Sequence, residues 1–169
     1  SLFASSAKEL WTTPIGSEVK WHSLTALGSL LVGTDDALLG INPEDGKVGW
    51  KRADIKKTNR NNAREIPGTP LLICNTYDGM MNSKVTFMAI DYQSGETIWT
   101  APQMLGQYLG TIPVPEKNLV IFVVNTFDAK DNGVYLMAHD LDTGAAKWST
   151  KFTKPGGIPL HLADNSGKF

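Results

Sequence analysis

The 169-residue sequence predicts an all-β fold of repeated four-stranded antiparallel blades, a β-propeller, here about three blades plus partial flanking strands. Three observations predict it. Trp50, Trp99 and Trp148 recur at a spacing of 49 residues, and Gly46, Gly95 and Gly144 recur with them, each four residues before its Trp. Sixteen Gly and nine Pro punctuate the chain, as a fold with many tight turns requires. No stretch of about ten or more residues carries the three-to-four-residue apolar period of a helix. Counting strand signals gives four per unit, and units of roughly 45 to 50 residues have the size of propeller blades.

The approximate blades are residues 15–57, 58–106 and 107–155, with residues 5–12 and 156–169 as partial-blade strands. The first unit reads Val19 to Ala26 as an extended segment, Leu30 to Val32 as a strand and Thr34 to Asp36 as a turn. A hairpin from Leu39 to Trp50 follows. In the second, Leu71 to Cys74 precedes Asn75-Thr-Tyr-Asp78 and the hairpin from Met88 to Trp99. Its first strand is the least distinct, because Glu65 to Pro70 runs straight into Leu71. The third reads Gly110 to Pro115 as extended, then Leu119 to Val124, Asn125-Thr-Phe-Asp128 and the hairpin from Met137 to Trp148. The shared Asn-Thr-aromatic-Asp is offset by 50 rather than 49, which a one-residue difference in the following hairpin accounts for.

Superposed, the hairpins share the frame Ala-x-Asp-x-x-Thr/Ser-Gly-x-x-x-Trp. Ala138, Asp140, Thr143, Gly144 and Trp148 fit it fully. Ala89, Asp91, Ser94, Gly95 and Trp99 fit with Ser for Thr, and the first copy is degenerate, with Gly40, Asn42 and Asp45 beside Gly46 and Trp50. The Asp or Asn side chain caps the turn, and the Gly supplies the positive φ of a bulged hairpin loop. A large aromatic once per unit is what stacked sheets need to bury a face on their neighbour. Ser6 to Trp11 matches the tail of the frame, with Trp11 at its Trp position.

This frame resembles the tryptophan-docking repeat of quinoprotein-like propellers, over roughly residues 15–169. The resemblance implies a fold more firmly than an activity. The family includes dehydrogenases using pyrroloquinoline quinone (PQQ) and Ca²⁺, and non-enzymatic members such as the propeller lipoprotein of the bacterial outer-membrane assembly machinery. Its enzymes carry an adjacent-cysteine disulfide, Asp/Asn/Glu ligands to Ca²⁺ and an Asp base. Here Cys74 is the only cysteine, and Asp91 and Asp140 are accounted for as turn caps.

The remaining signals read as structure. Cys74 lies in an apolar run and is expected to be a buried, inert thiol. Residues 51–64 hold six cations and one anion without interleaved aromatics, which reads as a solvated loop. Asp128 to Gly133 superficially suggests a Ca²⁺ loop, but Lys130 stands where an oxygen ligand is needed, so a polar turn is expected. His22, His139 and His161 lie in three separate units with no metal spacing.

A net charge of -1 gives no electrostatic reason for nucleic acid or an anionic membrane, and no run is long enough to span a bilayer. Small residues near the N-terminus and the family resemblance carry an expectation of a periplasmic or secreted location. Three blades and two part-blades cannot close a ring of about six to eight, so the expectation is the N-terminal part of a longer protein. Its partners would be the remaining blades or a second copy through open sheet edges, together with a protein or peptide ligand. The leading functional expectation is a non-enzymatic scaffold or binding module, with no catalytic, metal or cofactor residues. The alternative is part of a PQQ/Ca²⁺ dehydrogenase whose active-site residues lie elsewhere. A polysaccharide- or lyase-type propeller is a weaker third, since fold does not fix function.

Overall fold

A computed structural model describes residues 8–78, 84–130 and 132–153. The start of the expected flanking strand at 5–12, the segment 156–169 and His161 lie outside the described residues; residues 8–12, expected as a partial-blade strand, form no strand, and Trp11 is held instead by its indole on Pro43 O. The chain is all-β, an antiparallel β-propeller architecture. Among the described residues the twelve strands are β1 Val19–Leu24, β2 Leu30–Thr34, β3 Leu38–Ile41, β4 Val48–Arg52, β5 Ala63–Glu65, β6 Leu71–Asp78, β7 Lys84–Asp91, β8 Thr97–Thr100, β9 Met104–Val114, β10 Leu119–Thr126, β11 Gly133–Asp140 and β12 Ala146–Thr153. Among the described residues the only helical segments are two three-residue 3-10 turns, Arg60–Asn62 and Pro115–Lys117, and no helix is long and apolar enough to cross a membrane.

Strands β1 to β4 form one sheet in sequence order. The second and third units each run in order too, but β9 joins them: Leu105 and Met104 pair with Lys84 and Val85 of β7, while Gly106 onward pairs with β10. Strand β8 stops at Thr100 before Pro102, which has no N–H to give a ladder. The outer position beside β7 is taken up again by Met104, and the same strand then becomes the first of the next unit.

The apolar runs are uninterrupted because both faces of a middle sheet are covered. Leu71 and Ile73 of β6 pack with Phe87, Phe122 and Val124 against the third unit. Leu72 and Cys74, pointing the other way, pack with Leu31, Leu38 and Met88 against the first. Phe87 and Phe122 stack at 3.9 Å between ring centroids, fixing the second sheet on the third. A third cluster of Val32, Ala37, Leu39 and Ile41 is covered by Trp11 and Ile15.

The shared Asn-Thr tetrapeptides are not at equivalent ladder positions. Leu71 pairs with Asp91 and Leu119 with Asp140, so Asn75 faces Phe87 in mid-strand whereas Asn125 faces Val134 near the hairpin end. The hydrophobic pattern of β6 and β10, with both faces buried, fixes the register, and the polar likeness does not.

Candidate functional site

The frame residues sit on one repeated device. In each hairpin the Asx side chain accepts from turn amides: Asn42 Oδ1 from Glu44 N at 2.9 Å, Asp91 Oδ1 from Gln93 N at 2.7 Å, and Asp140 Oδ1 from Thr143 N at 3.1 Å. Thr143 Oγ1 also donates to Asp140 Oδ1 at 3.0 Å. The turn closes with the Gly amide donating to the Asx carbonyl in Gly46, Gly95 and Gly144 at 2.8, 2.7 and 2.9 Å. Gly95 and Gly144 have φ of 76° and 70°, where a Cβ is sterically opposed.

Across each hairpin the small residue of the frame faces the Trp: Gly40 pairs with Trp50, Ala89 with Trp99 and Ala138 with Trp148. A bulge follows at the same place in all three, between Gly40 and Ile41, Ala89 and Ile90, and Ala138 and His139. The extra residue re-aims the strand. A Cβ on Gly40 would lie 2.2 Å from Trp50 Cε2, so the ring closes over the glycine and the first copy needs the smaller residue.

The indoles of Trp11, Trp50 and Trp99 each reach the next repeat turn along the chain. Trp11 Nε1 donates to Pro43 O at 2.7 Å, Trp50 Nε1 to Tyr92 O at 3.0 Å and Trp99 Nε1 to Leu141 O at 2.8 Å. The acceptor is always the carbonyl directly after the Asx. The ring covers the turn glycine, since a Cβ on Gly46, Gly95 or Gly144 would lie 2.5 to 2.6 Å from Trp11, Trp50 or Trp99 respectively. Trp99 is 6% exposed, and Trp148 is 42% exposed. Among the described residues the Trp148 N–H has no hydrogen-bond partner.

Sequence separation hid other contacts. Arg52 donates to Gly95 O at 2.8 Å and to Asp54 at 2.8 and 2.6 Å. Trp21 Nε1 donates to Thr58 O at 2.8 Å, tying the connection between the first two units to β1. Neither residue belongs to the repeat, so no spacing marks it. His139 Nδ1 lies 2.9 Å from Gly144 O, its ring edge-on to Phe122. His22 is exposed on β1. Lys130 N donates to Asp128 Oδ1 at 2.8 Å within the β10–β11 loop.

The electrostatics follow from these contacts. Lys147, 3.1 Å from Asp140, and the Thr143 hydroxyl hold the Asp140 carboxyl below its ordinary range. The Arg52 guanidinium does the same for Asp54. Burial pushes the Cys74 thiol up to about 12. Among the described residues no group of three or more His, Cys, Asp or Glu is placed to hold a metal ion. A cleft of about 290 Å³ opens between β1, β5 and the Arg60–Asn62 turn, with Pro113 of β9 on its rim.

No family model and no curated protein matches the sequence. Among solved structures the chain is similar to BamB from Moraxella catarrhalis, at 14% identity and a TM-score of 0.50, covering 81% of this chain and 36% of that one. It is also similar to the quinohemoprotein alcohol dehydrogenase ADHIIG from Pseudomonas putida HK5, at 14% identity and a TM-score of 0.40, covering 73% of this chain and 19% of that one. The chain thus spans little more than a third of the BamB structure. The first likeness supports the β-propeller fold.

Proposed function

We propose that this chain is a segment of a non-enzymatic propeller scaffold that works by binding protein surface. One observation carries the reading. The repeat is itself a recognition device for a peptide turn, an indole plane on a glycine and an N–H on the carbonyl after an Asx. Its fourth indole, Trp148, is 42% exposed on β12, which among the described residues pairs with β11 alone. The turns at Gly46, Gly95 and Gly144 already carry Trp11, Trp50 and Trp99, so among the described residues no repeat turn is left for Trp148, and its proposed partner is a further blade of the same kind or a second copy paired along β12. The carboxylates of the repeat are engaged in their turns, which favours structure over acid–base chemistry for Asp91 and Asp140. Under the quinone-dependent alternative, PQQ and Ca²⁺ would be held by residues other than these. The family resemblance extends the proposal to a periplasmic or secreted location.

The test is native mass by light scattering, run beside a titration with PQQ and Ca²⁺ followed by quinone absorbance. A dimer or larger assembly that Trp148→Ala returns to monomer, with no stoichiometric quinone uptake, is the expected result. A monomer that takes up one equivalent of quinone overturns the reading in favour of the dehydrogenase.

A further inference from the structure

The cationic segment 51–64 is divided by the fold. Arg52 is consumed by Asp54 and the Gly95 carbonyl, whereas Arg60 and Arg64 line one wall of the 290 Å³ cleft, facing Trp21 and Ser23. Their placement is fixed. Asn59 Oδ1 accepts from Asn61 N and Asn62 N at 2.9 and 3.1 Å, shaping the turn that carries Arg60. Arg64 sits on β5, paired with Ile73 of β6, and Tyr108 of β9 donates to Asn61 O at 3.0 Å. The acid on the cleft wall, Glu65, is already engaged by Ala26 N at 2.9 Å and the Tyr92 hydroxyl at 3.3 Å. Among the described residues neither Arg60 nor Arg64 has an ion-pair partner. Among the described residues strand β5 pairs only with β6, so its other edge offers backbone groups outside any ladder beside the two guanidiniums.

We propose that this cleft binds an extended acidic peptide segment, its carboxylates held by Arg60 and Arg64 and its backbone laid along the free edge of β5. The inference rests on the protein-binding reading above and specifies a partner chemistry for it. A guanidinium fork matches a carboxylate in plane and spacing. An open strand edge selects an extended backbone. The cleft is at the small end of ligand pockets and accommodates one or two side chains.

The test is fluorescence polarisation with a labelled hexapeptide of alternating Glu and Val, its Gln-for-Glu counterpart, and glutarate as unlabelled competitor. The Glu peptide is expected to bind about tenfold tighter than the Gln peptide, with Arg60→Gln and Arg64→Gln each weakening it by about five- to tenfold. Both side chains are exposed, so melting curves of the variants should overlay the parent. Lys56→Gln with Lys57→Gln, which removes twice the charge of either single variant from the same segment outside the cleft, should leave affinity within about twofold. Equal binding of the two peptides, or equal loss on removing Lys56 and Lys57, overturns the site. Glutarate binding as tightly as the peptide overturns the peptide and leaves a small-carboxylate pocket. None of these outcomes bears on the Trp148 association experiment, so the two proposals fail separately.

Discussion

At the scale of residues, the four tryptophans of the repeat are chemically identical side chains in unequal surroundings, and energetics should rank them. Trp99 is buried on the third sheet with its N–H on Leu141 O, so Trp99→Ala removes a large aromatic and leaves a buried carbonyl without its donor. We expect a loss of about 3–5 kcal/mol, whereas Trp148→Ala in the monomer should cost clearly less, because the ring is 42% exposed and has less surface to return to water. Urea denaturation of the two variants measures the difference, and equal losses would mean Trp148 is covered. Gly95→Ala meets two penalties at once, a positive φ of 76° and a Cβ 2.6 Å from Trp50 Cγ. It should cost about 2 kcal/mol or more, and Trp50→Ala should relieve the steric share of that in a double-mutant cycle.

At the scale of elements, what the sequence disclosed follows from what repeats. The turns were legible because Asx, Gly and Trp must recur wherever an indole is seated on a hairpin, and the spacing of 49 residues records that. The rest was not, because the contacts responsible occur once. Nothing in Met104 to Val114 announces a strand shared by two units. Trp21 and Thr58 are 37 residues apart with no second copy of the pair. Arg60 and Arg64 read as a charged loop until β5 and β1 bring them to one wall. The Asn-Thr tetrapeptide misled for the opposite reason: a likeness existed, but burial on both faces of β6 and β10 set the register. Strand β6 has a direct experimental handle. Cys74 is 0% exposed between the first and second sheets, and its thiol is held neutral by burial. In native buffer a thiol-disulfide reagent should therefore not react with it within hours, while in urea above the midpoint it should react at once. The slow native rate should report the free energy of opening β6. Rapid native labelling would place this interface among the first parts to open.

At the scale of the whole molecule, the perturbed groups define a pH window for stability. Asp45, Asp54 and Asp140 are each held below the ordinary carboxylate range, chiefly by Lys47, Arg52 and Lys147. A depressed folded-state pKa contributes stability that is present above the unfolded value, about 3.9, and is lost as pH falls through the folded one. Stability should therefore decline below about pH 4. On the alkaline side the sign reverses. Cys74 rises from 9.0 unfolded to about 12 folded, so the folded chain keeps a proton the unfolded chain releases, and stability falls as pH rises between those values. Tyr77, Tyr92 and Tyr108 are raised too, first by burial, and steepen the same limb. The variant Cys74→Ala isolates the thiol, since it carries a fixed packing loss at every pH but has no proton to release. Urea midpoints from pH 7 to 11 should show wild type and variant parallel to about pH 9. They should then converge by about 1.4 kcal/mol per pH unit, the slope of one proton. Curves that stay parallel through pH 11 would show that the thiol ionises in the folded protein as readily as in the unfolded, and hence that water reaches the seam between the first two sheets.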